Sequence, residues 1–469
     1  MTELREILKA DENSLSAMQM IKMVIRLSIP AIMAEISSIA MQYIDAAMVG
    51  SLGAHASAAI GLVSTTTWLI GGLCLSAATG FSVQTAQLIG GGRDEEARNT
   101  FRQSLIIAVL FGMLLSVISI SISGRLPVWL GGAEELREDA SKYFLIYSCV
   151  LVFAQIRQMA GSMLQCSGDM KTPSILNVIL CGLDVVFNFI FIFPSRTVCL
   201  LGMDIKLIGA GMGVSGAALG TACAEAVISV SMLLFACFKS DKLAFHKGGS
   251  WHLRKECLKT ALKLAIPAAI EHTIMCSAYI VSTLIVAPLG TIAVAANSLA
   301  VTAESFCYMP GYGISSAATT LVGQSMGAER RDIAKRFSHI AVLLGVCIMS
   351  CTAIVMFAFA PNIFGMLTPD AEVIALGTAV LRIEAFAEPL YAASIVCAGA
   401  LRGAGDVVGP SVLNLISMWG VRITLASVLV PHMGLYGVWI AMCIELCVRG
   451  ILFLIRLIKG KWLKKGIIV

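Results

Sequence analysis

Twelve apolar stretches, each about as long as a bilayer is thick, recur along this chain and leave it few folds to choose from. They fall near 27–49, 58–88, 104–122, 140–160, 173–194, 213–237, 264–287, 295–322, 338–360, 376–399, 410–430 and 436–456. A helix of roughly 20 residues spans the hydrocarbon core, and in lipid only helices or closed barrels satisfy every backbone polar group. The expected fold is therefore an all-α integral membrane protein of twelve transmembrane helices. With 58% of the residues hydrophobic and 13% charged, the chain must be solvated mostly by lipid. The N-terminal stretch MTELREILKADENSLSAMQM carries charge before any apolar run and does not read as a secretory signal.

Charge parity supports the span count. Twenty-five lysines and arginines fall on the side of the N-terminus: Arg5, Lys9, Lys22, Arg26, Arg93, Arg98, Arg102, Lys171, Lys239, Lys242, Lys247, Arg254, Lys255, Lys259, Lys263, Arg330, Arg331, Lys335, Arg336, Arg402, Arg456, Lys459, Lys461, Lys464 and Lys465. Only Arg125, Arg137, Arg196 and Lys206 fall in the opposite loops. The positive-inside rule then places both termini in the cytoplasm, as expected for a multi-pass protein of a plasma or bacterial inner membrane. The formal charge of +5 belongs to these loops and implies no nucleic-acid partner. The 15 cysteines lie scattered in apolar runs without metal-finger spacing, as small hydrophobes do.

The sequence repeats itself. Displaced by 237 residues, 27–97 aligns with 264–334 without a gap at 16 identities in 71 positions, including Pro30 with Pro267, Gln87 with Gln324 and Arg93 with Arg330. The same displacement aligns LQCSGDMKTPSILN (164–177) with LRGAGDVVGPSVLN (401–414). Each copy holds an even number of spans, so both enter the membrane from one side and are expected to be related by a two-fold axis along its normal. This predicts two pseudo-symmetric six-helix bundles, an N-lobe at 25–237 and a C-lobe at 264–456. A cytoplasmic segment at 1–24 precedes them. A basic linker with a short surface helix joins them at 238–263, and a basic cytoplasmic tail follows at 457–469. The substrate cavity is expected between the lobes.

Each copy is a control for the other. Asp45 faces Ser282 in the alignment, Asp184 faces Val421 and Asn188 faces Leu425, so these polar groups belong to the first copy alone. A carboxylate at bilayer depth costs about 2.5–3.5 kcal/mol and is retained for pairing or function. At about 1.5 Å per residue, Asp184 lies ~16 Å, Asn188 ~22 Å and Asp45 ~27 Å from the cytoplasmic end of their spans. Thr221 of the sixth span reaches a similar level. Together they offer hard oxygen ligands for Na⁺ or a relay for H⁺; helix-to-helix hydrogen bonding is the simpler alternative. Pro30 removes a backbone donor fifteen residues before Asp45 and makes the first span bendable, or merely kinked.

In the second copy Glu271, Glu304, Glu384 and Glu388 lie within spans, and are expected either to line the cavity and attract cations or to pair helices. Glu445 and Arg449, four apart, suggest an ion pair within one helix. The Gly211–Gly216 match to GxGxxG opens a span with no strand before it and reads as close helix packing. No Walker lysine motif and no nucleophile–base or metal-ligand set is present, so neither ATP hydrolysis nor another enzyme activity is expected, nor any cofactor.

IPAIMAEISSIAMQYIDAAMVGSLG (29–53), TAQLIGGGRDEEAR (85–98), VGQSMGAERRDIAK (322–335), ALRGAGDVVGPSVLN (400–414) and GVSGAALGTA (213–222) together resemble signatures of the multidrug and toxic compound extrusion (MATE) family. The resemblance runs from about 25 to 455. It implies an antiporter that exports cationic, amphipathic compounds against an inward gradient of H⁺ or Na⁺ by alternating access. By resemblance, the family's first-helix acid matches Asp45, its proline matches Pro30, and its helix-five and helix-six polar groups match Asp184, Asn188 and Thr221. The chain departs from the frequent Asn-then-Asp order in helix five. It also has no acid at Met275 or Tyr391, the places in helices seven and ten where one branch of the family carries them, which favours coupling in the N-lobe. Glu271, Met275, Glu304, Glu388 and Tyr391 remain as expected cavity residues. The expected partners are the lipid bilayer and cationic small molecules, with the chain acting as a monomer. A lipid-linked saccharide flippase of related two-lobe plan is the alternative, although a pyrophosphate would call for a more cationic cavity.

Overall fold

The computed structural model describes residues 2–9, 16–200, 203–245, 249–464 and 466, with the backbone alone for Thr2, Glu3, Arg5, Lys9, 196–200 and 203–208. Lys247 and Lys465 of the charge argument lie outside the described residues, as do the side chains of Arg5, Lys9, Arg196 and Lys206.

The N-lobe is built from α2 (Ala17–Gly50), α3 (Ala54–Gly90), α4 (Asp94–Ile122), the short α5 (Leu126–Trp129), α6 (Glu134–Cys166), α7 (Lys171–Ile192) and α8 (Val214–Phe238), preceded by α1 (Thr2–Lys9). The C-lobe contains α9 (Lys255–Val286), α10 (Thr291–Gly327), α11 (Arg331–Leu367), α12 (Ala371–Ala385), α13 (Glu388–Gly403), α14 (Val408–Leu415), a π-helical segment (Ile416–Ile423), α15 (Thr424–Met433) and α16 (Leu435–Ile458). Among the described residues eleven helices, counting α14 through α15 as one, are long and apolar enough to cross a membrane. The expected tenth span is delivered in two pieces, α12 and α13. Pro389 in the first turn of α13 explains the break, because it has no N–H to give the carbonyl of Ala385 and its ring crowds that oxygen.

Three local differences from the sequence reading stand out. An antiparallel ribbon, β1 (Pro194–Leu200) with β2 (Met203–Ala210), joins α7 to α8. In the linker, α9 starts at Lys255, and no surface helix forms between Phe238 and Lys255 among the described residues. That segment is tied to α4 instead, through Lys242 Nζ on Asp94 (2.8 Å) and the Arg254 N–H on Gln103 Oε1 (2.9 Å).

The two-fold relation is visible bond by bond. Gly168 and Gly405 turn with φ of 94° and 88°, and the Asp169 and Asp406 carboxylates that follow accept the first-turn N–H of Thr172 and Gly409 at 3.1 and 3.3 Å. This is what the repeated Gly-Asp encodes: a left-handed turn and an acid that caps the next helix. The lobes meet where α2 packs on α10 and α3 on α9. At the basic-loop end, Gly90 and Gly327 let α3 and α10 touch, since a Cβ on either would lie 1.9 or 1.8 Å from the carbonyl oxygen of Gln324 or Gln87. Each glutamine then reaches into the other lobe: Gln87 Nε2 donates to the Gly403 carbonyl (3.1 Å) and Gln324 Nε2 to the Cys166 carbonyl (2.9 Å). All four residues are related by the 237-residue displacement. Residues 80–89 and 320–326 are buried throughout, so this end of the molecule is sealed.

Candidate functional site

In the N-lobe, α7 and α8 approach closely because Gly216 and Gly220 face α7, where a Cβ would meet the Phe191 carbonyl oxygen at 2.4 Å and Asn188 Oδ1 at 2.1 Å. The Gly-rich start of α8 is thus a packing surface. Against it lie Asp184 and Asn188, both buried, with Asp45 of α2 half-buried beside them. Asn188 Nδ2 donates to Asp45 Oδ1 and to Asp184 Oδ2, each at 2.9 Å. Thr221 of α8 stands beside Asp184. All four residues singled out in the sequence therefore come together.

Two carboxylates that share one neutral amide repel each other in a low dielectric, and a proton or small cation between them relieves that repulsion. Asp184 Oδ1 and Asn188 Oδ1 are buried without a hydrogen-bond donor. Orphaned hard oxygen acceptors beside a hydroxyl fit a dehydrated monovalent cation, or a proton on one carboxyl. Pro30 sits within an unbroken α2, and Gly313 lets α10 close on it, a Cβ there lying 2.6 Å from the Ile32 nitrogen.

The C-lobe acids divide into two groups. Glu271 is saturated: Arg402 Nη2 (2.8 Å), Ser411 Oγ (2.8 Å) and Asn414 Nδ2 (2.5 Å) all donate to it, so it ties α9, α13 and α14 together. Glu304, Glu384 and Glu388 form a buried cluster whose nearest carboxylate oxygens lie within 4.8 Å of one another. Neither Glu384 nor Glu388 has a hydrogen-bond partner at either oxygen. Residues 275 and 391 carry no acid, yet Glu388 sits one turn before Tyr391. Carboxylates are therefore buried in both lobes, and the asymmetry read from the alignment is one of position rather than of presence.

Between the lobes lie two adjoining cavities of about 300 and 360 Å³ that share Trp68, Cys276, Tyr279, Tyr308, Tyr391 and Arg449. Met275 and Glu271 line the larger and Glu304 the smaller, whereas Glu388, expected as a cavity residue, lines neither because it is fully buried within α13's packing. Tyr308 packs edge-on to Tyr391 at 5.6 Å and Trp68 to Tyr279 at 6.5 Å, which gives the cleft an aromatic lining from both lobes.

The MatE family model matches residues 30–190 and 267–428, two copies displaced by 237. The chain belongs to the MATE family of membrane transporters. A probable multidrug resistance protein NorM of Thermotoga maritima is 25% identical over 452 residues, covering 95% of this chain and 94% of that protein. The multidrug resistance protein MdtK of Yersinia enterocolitica is 26% identical over 460 residues, 94% of each. A MATE family transporter of the MOP superfamily solved in an outward-facing conformation superposes with a TM-score of 0.88 at 22% identity, over 98% of both chains.

Within this MATE fold several polar groups inside the spans escaped the sequence reading. Arg157 of α6 donates from Nε and Nη2 to Glu225 of α8 (2.5 and 2.9 Å) and from Nη1 to Asn177 of α7 (3.2 Å), next to a cavity of about 200 Å³ that Thr221 also lines. Glu35 of α2 lines the central cleft, and Arg422 in the π-helical segment faces its smaller cavity. The signal was available: the repeat sets Arg157 against Ser394, Glu225 against Trp462 and Arg422 against Val185, so the comparison that isolated Asp184 would have isolated these too.

Proposed function

We propose that this MATE transporter is a secondary antiporter that exports cationic, amphipathic compounds from the cleft between its lobes in exchange for H⁺ or Na⁺ bound in the N-lobe. The observation that carries this reading is the carboxylate pair of half-buried Asp45 and buried Asp184, held by a single amide with acceptor oxygens left over. An inward-moving cation arriving there changes how α2, α7 and α8 pack, weakens the hold of the cleft on its cargo and favours outward release. The aromatic cleft with Glu304 on its wall suits a flat cation, and the names of the relatives support drug-like cargo. No resident cofactor enters the cycle.

In this reading the basic-loop end and both termini face the cytoplasm of a plasma or inner membrane, and the transporter works as a monomer. One monovalent cation exchanged for one monovalent substrate moves no net charge, so a tenfold ion gradient supports about a tenfold substrate gradient, roughly 1.4 kcal/mol. Ethidium efflux from proteoliposomes, driven separately by an imposed pH step and an imposed Na⁺ step, identifies the ion. Asp45→Asn and Asp184→Asn are each expected to cut the driven rate at least tenfold; undiminished efflux in both variants removes the N-lobe from the mechanism.

A further inference from the structure

Three arginines stand on the C-lobe side of the central cleft, and two are neutralised. Arg402 is bonded to Glu271 at 2.8 Å, and Arg449 grips Glu445 with two bonds of 2.7 Å. Arg422 is different. It is only 8% exposed, yet among the described residues no carboxylate oxygen lies within 4.0 Å of it. Its Nη2 and Nη1 meet the thioether sulfurs of Met442 (2.7 Å) and Met418 (4.0 Å), and Nε has no partner. Thioethers are weak acceptors, so most of the five guanidinium donors are unspent at a buried site, which is costly unless something else takes them up. The guanidinium lies 5.8 Å from the Tyr279 ring and lines the smaller cavity of the cleft, about 300 Å³.

The backbone aims it there. Arg422 lies in the π-helical segment Ile416–Ile423, and a π turn uses about one residue more than an α turn, so residues at its end are rotated by roughly 100°. Without it, Val421 would take the direction that Asp184 takes in the N-lobe; with it, Arg422 does. The C-lobe thus presents a cation, between α9 and α16, where the N-lobe presents an anion between α2 and α8. Glu304, whose carboxylate forms no hydrogen bond or ion pair, opens on the same cavity. Glu384 and Glu388 are buried behind Glu304, in one cluster with it.

We infer that Arg422 receives a carboxylate of the transported compound while Glu304 receives its cationic group, so that the cleft selects aromatic zwitterions over simple aromatic cations. A guanidinium fork matches a carboxylate with two parallel bonds, and the ring of Tyr279 and the indole of Trp68 provide flat walls between the two charges. The inference rests on the cleft being the cargo site, as proposed above.

Two dyes that differ by one methyl ester isolate the point: rhodamine 110 carries a free carboxylate, and rhodamine 123 is its ester. Fluorescence polarisation with purified protein in detergent, without any gradient, reads equilibrium binding of each. Wild type is expected to bind rhodamine 110 about tenfold more tightly than rhodamine 123. Arg422→Gln is expected to erase that preference while leaving rhodamine 123 within twofold, Arg422→Lys to keep part of it, and Glu304→Gln to weaken both dyes. A wild type that does not prefer rhodamine 110 overturns the inference whether or not the variants fold. So does an Arg422→Gln protein of unchanged melting temperature that keeps the preference or weakens both dyes alike, as loss of a purely structural counter-ion would. Failure of the wild type to bind either dye overturns the cleft as cargo site as well.

Discussion

Asn188 holds the N-lobe site together, since its single amide nitrogen bridges carboxylates from two helices. Asp184 and Asn188 were legible because a polar residue stands out against its apolar repeat partner. That the two would meet Asp45, against the mutual repulsion of two carboxylates in a dry site, was legible only as a matching of depths. What the alignment could not give was the partner of each C-lobe acid: Glu271 could equally line the cavity or pair helices by its sequence, and in the fold it is consumed by three donors. A different residue tests the repeat at the backbone. Glu329 is the one non-glycine residue with positive φ among those described, at 60°, and its repeat partner Gly92 takes 72°. The left-handed conformation costs a residue with a Cβ about 1–2 kcal/mol, partly offset by the greater unfolded-state freedom of glycine. Glu329→Gly is therefore predicted to stabilise the protein by roughly 0.5–1 kcal/mol, read as a raised melting temperature in detergent; a lowered one would show that the Glu329 side chain does more there than fill a turn.

Among the elements, spans and lobes were readable because apolar length and loop charge are properties of the sequence itself. The break between α12 and α13 was readable in principle from Pro389. The π-helical segment was not, because one extra residue in a turn leaves no compositional mark, and with it went the direction of Arg422. The α3–α10 contact was half readable: Gln87 and Gln324 align in the repeat, but only the fold shows each crossing to the opposite lobe. These two bonds latch the basic-loop end. Replacing both glutamines with alanine is predicted to open that end more often, so that Cys166, buried beside the latch, reacts several-fold faster with a membrane-permeant maleimide, as quantified by peptide mass spectrometry. An unchanged rate at Cys166 would mean that the close approach at Gly90 and Gly327 seals the end unaided.

For the whole molecule, duplication supplies two bundles with one hinge geometry, and divergence gives them opposite charges at matching depth: an acidic pair in the first, an unpaired guanidinium in the second. In the proposed cycle the two bundles respond to different ligands, and that divergence would provide the difference. In the proposed cycle cargo and coupling cation are thermodynamically linked through the N-lobe acids. The direct test is to add ethidium to unbuffered, detergent-solubilised protein and count the protons, or ²²Na⁺ ions, released per dye bound. The account predicts about one cation released by the wild type and none by the Asp45→Asn/Asp184→Asn double variant. Release that persists in that variant and disappears in Glu384→Gln would contradict it, and would move the linkage to the carboxylate cluster of the C-lobe.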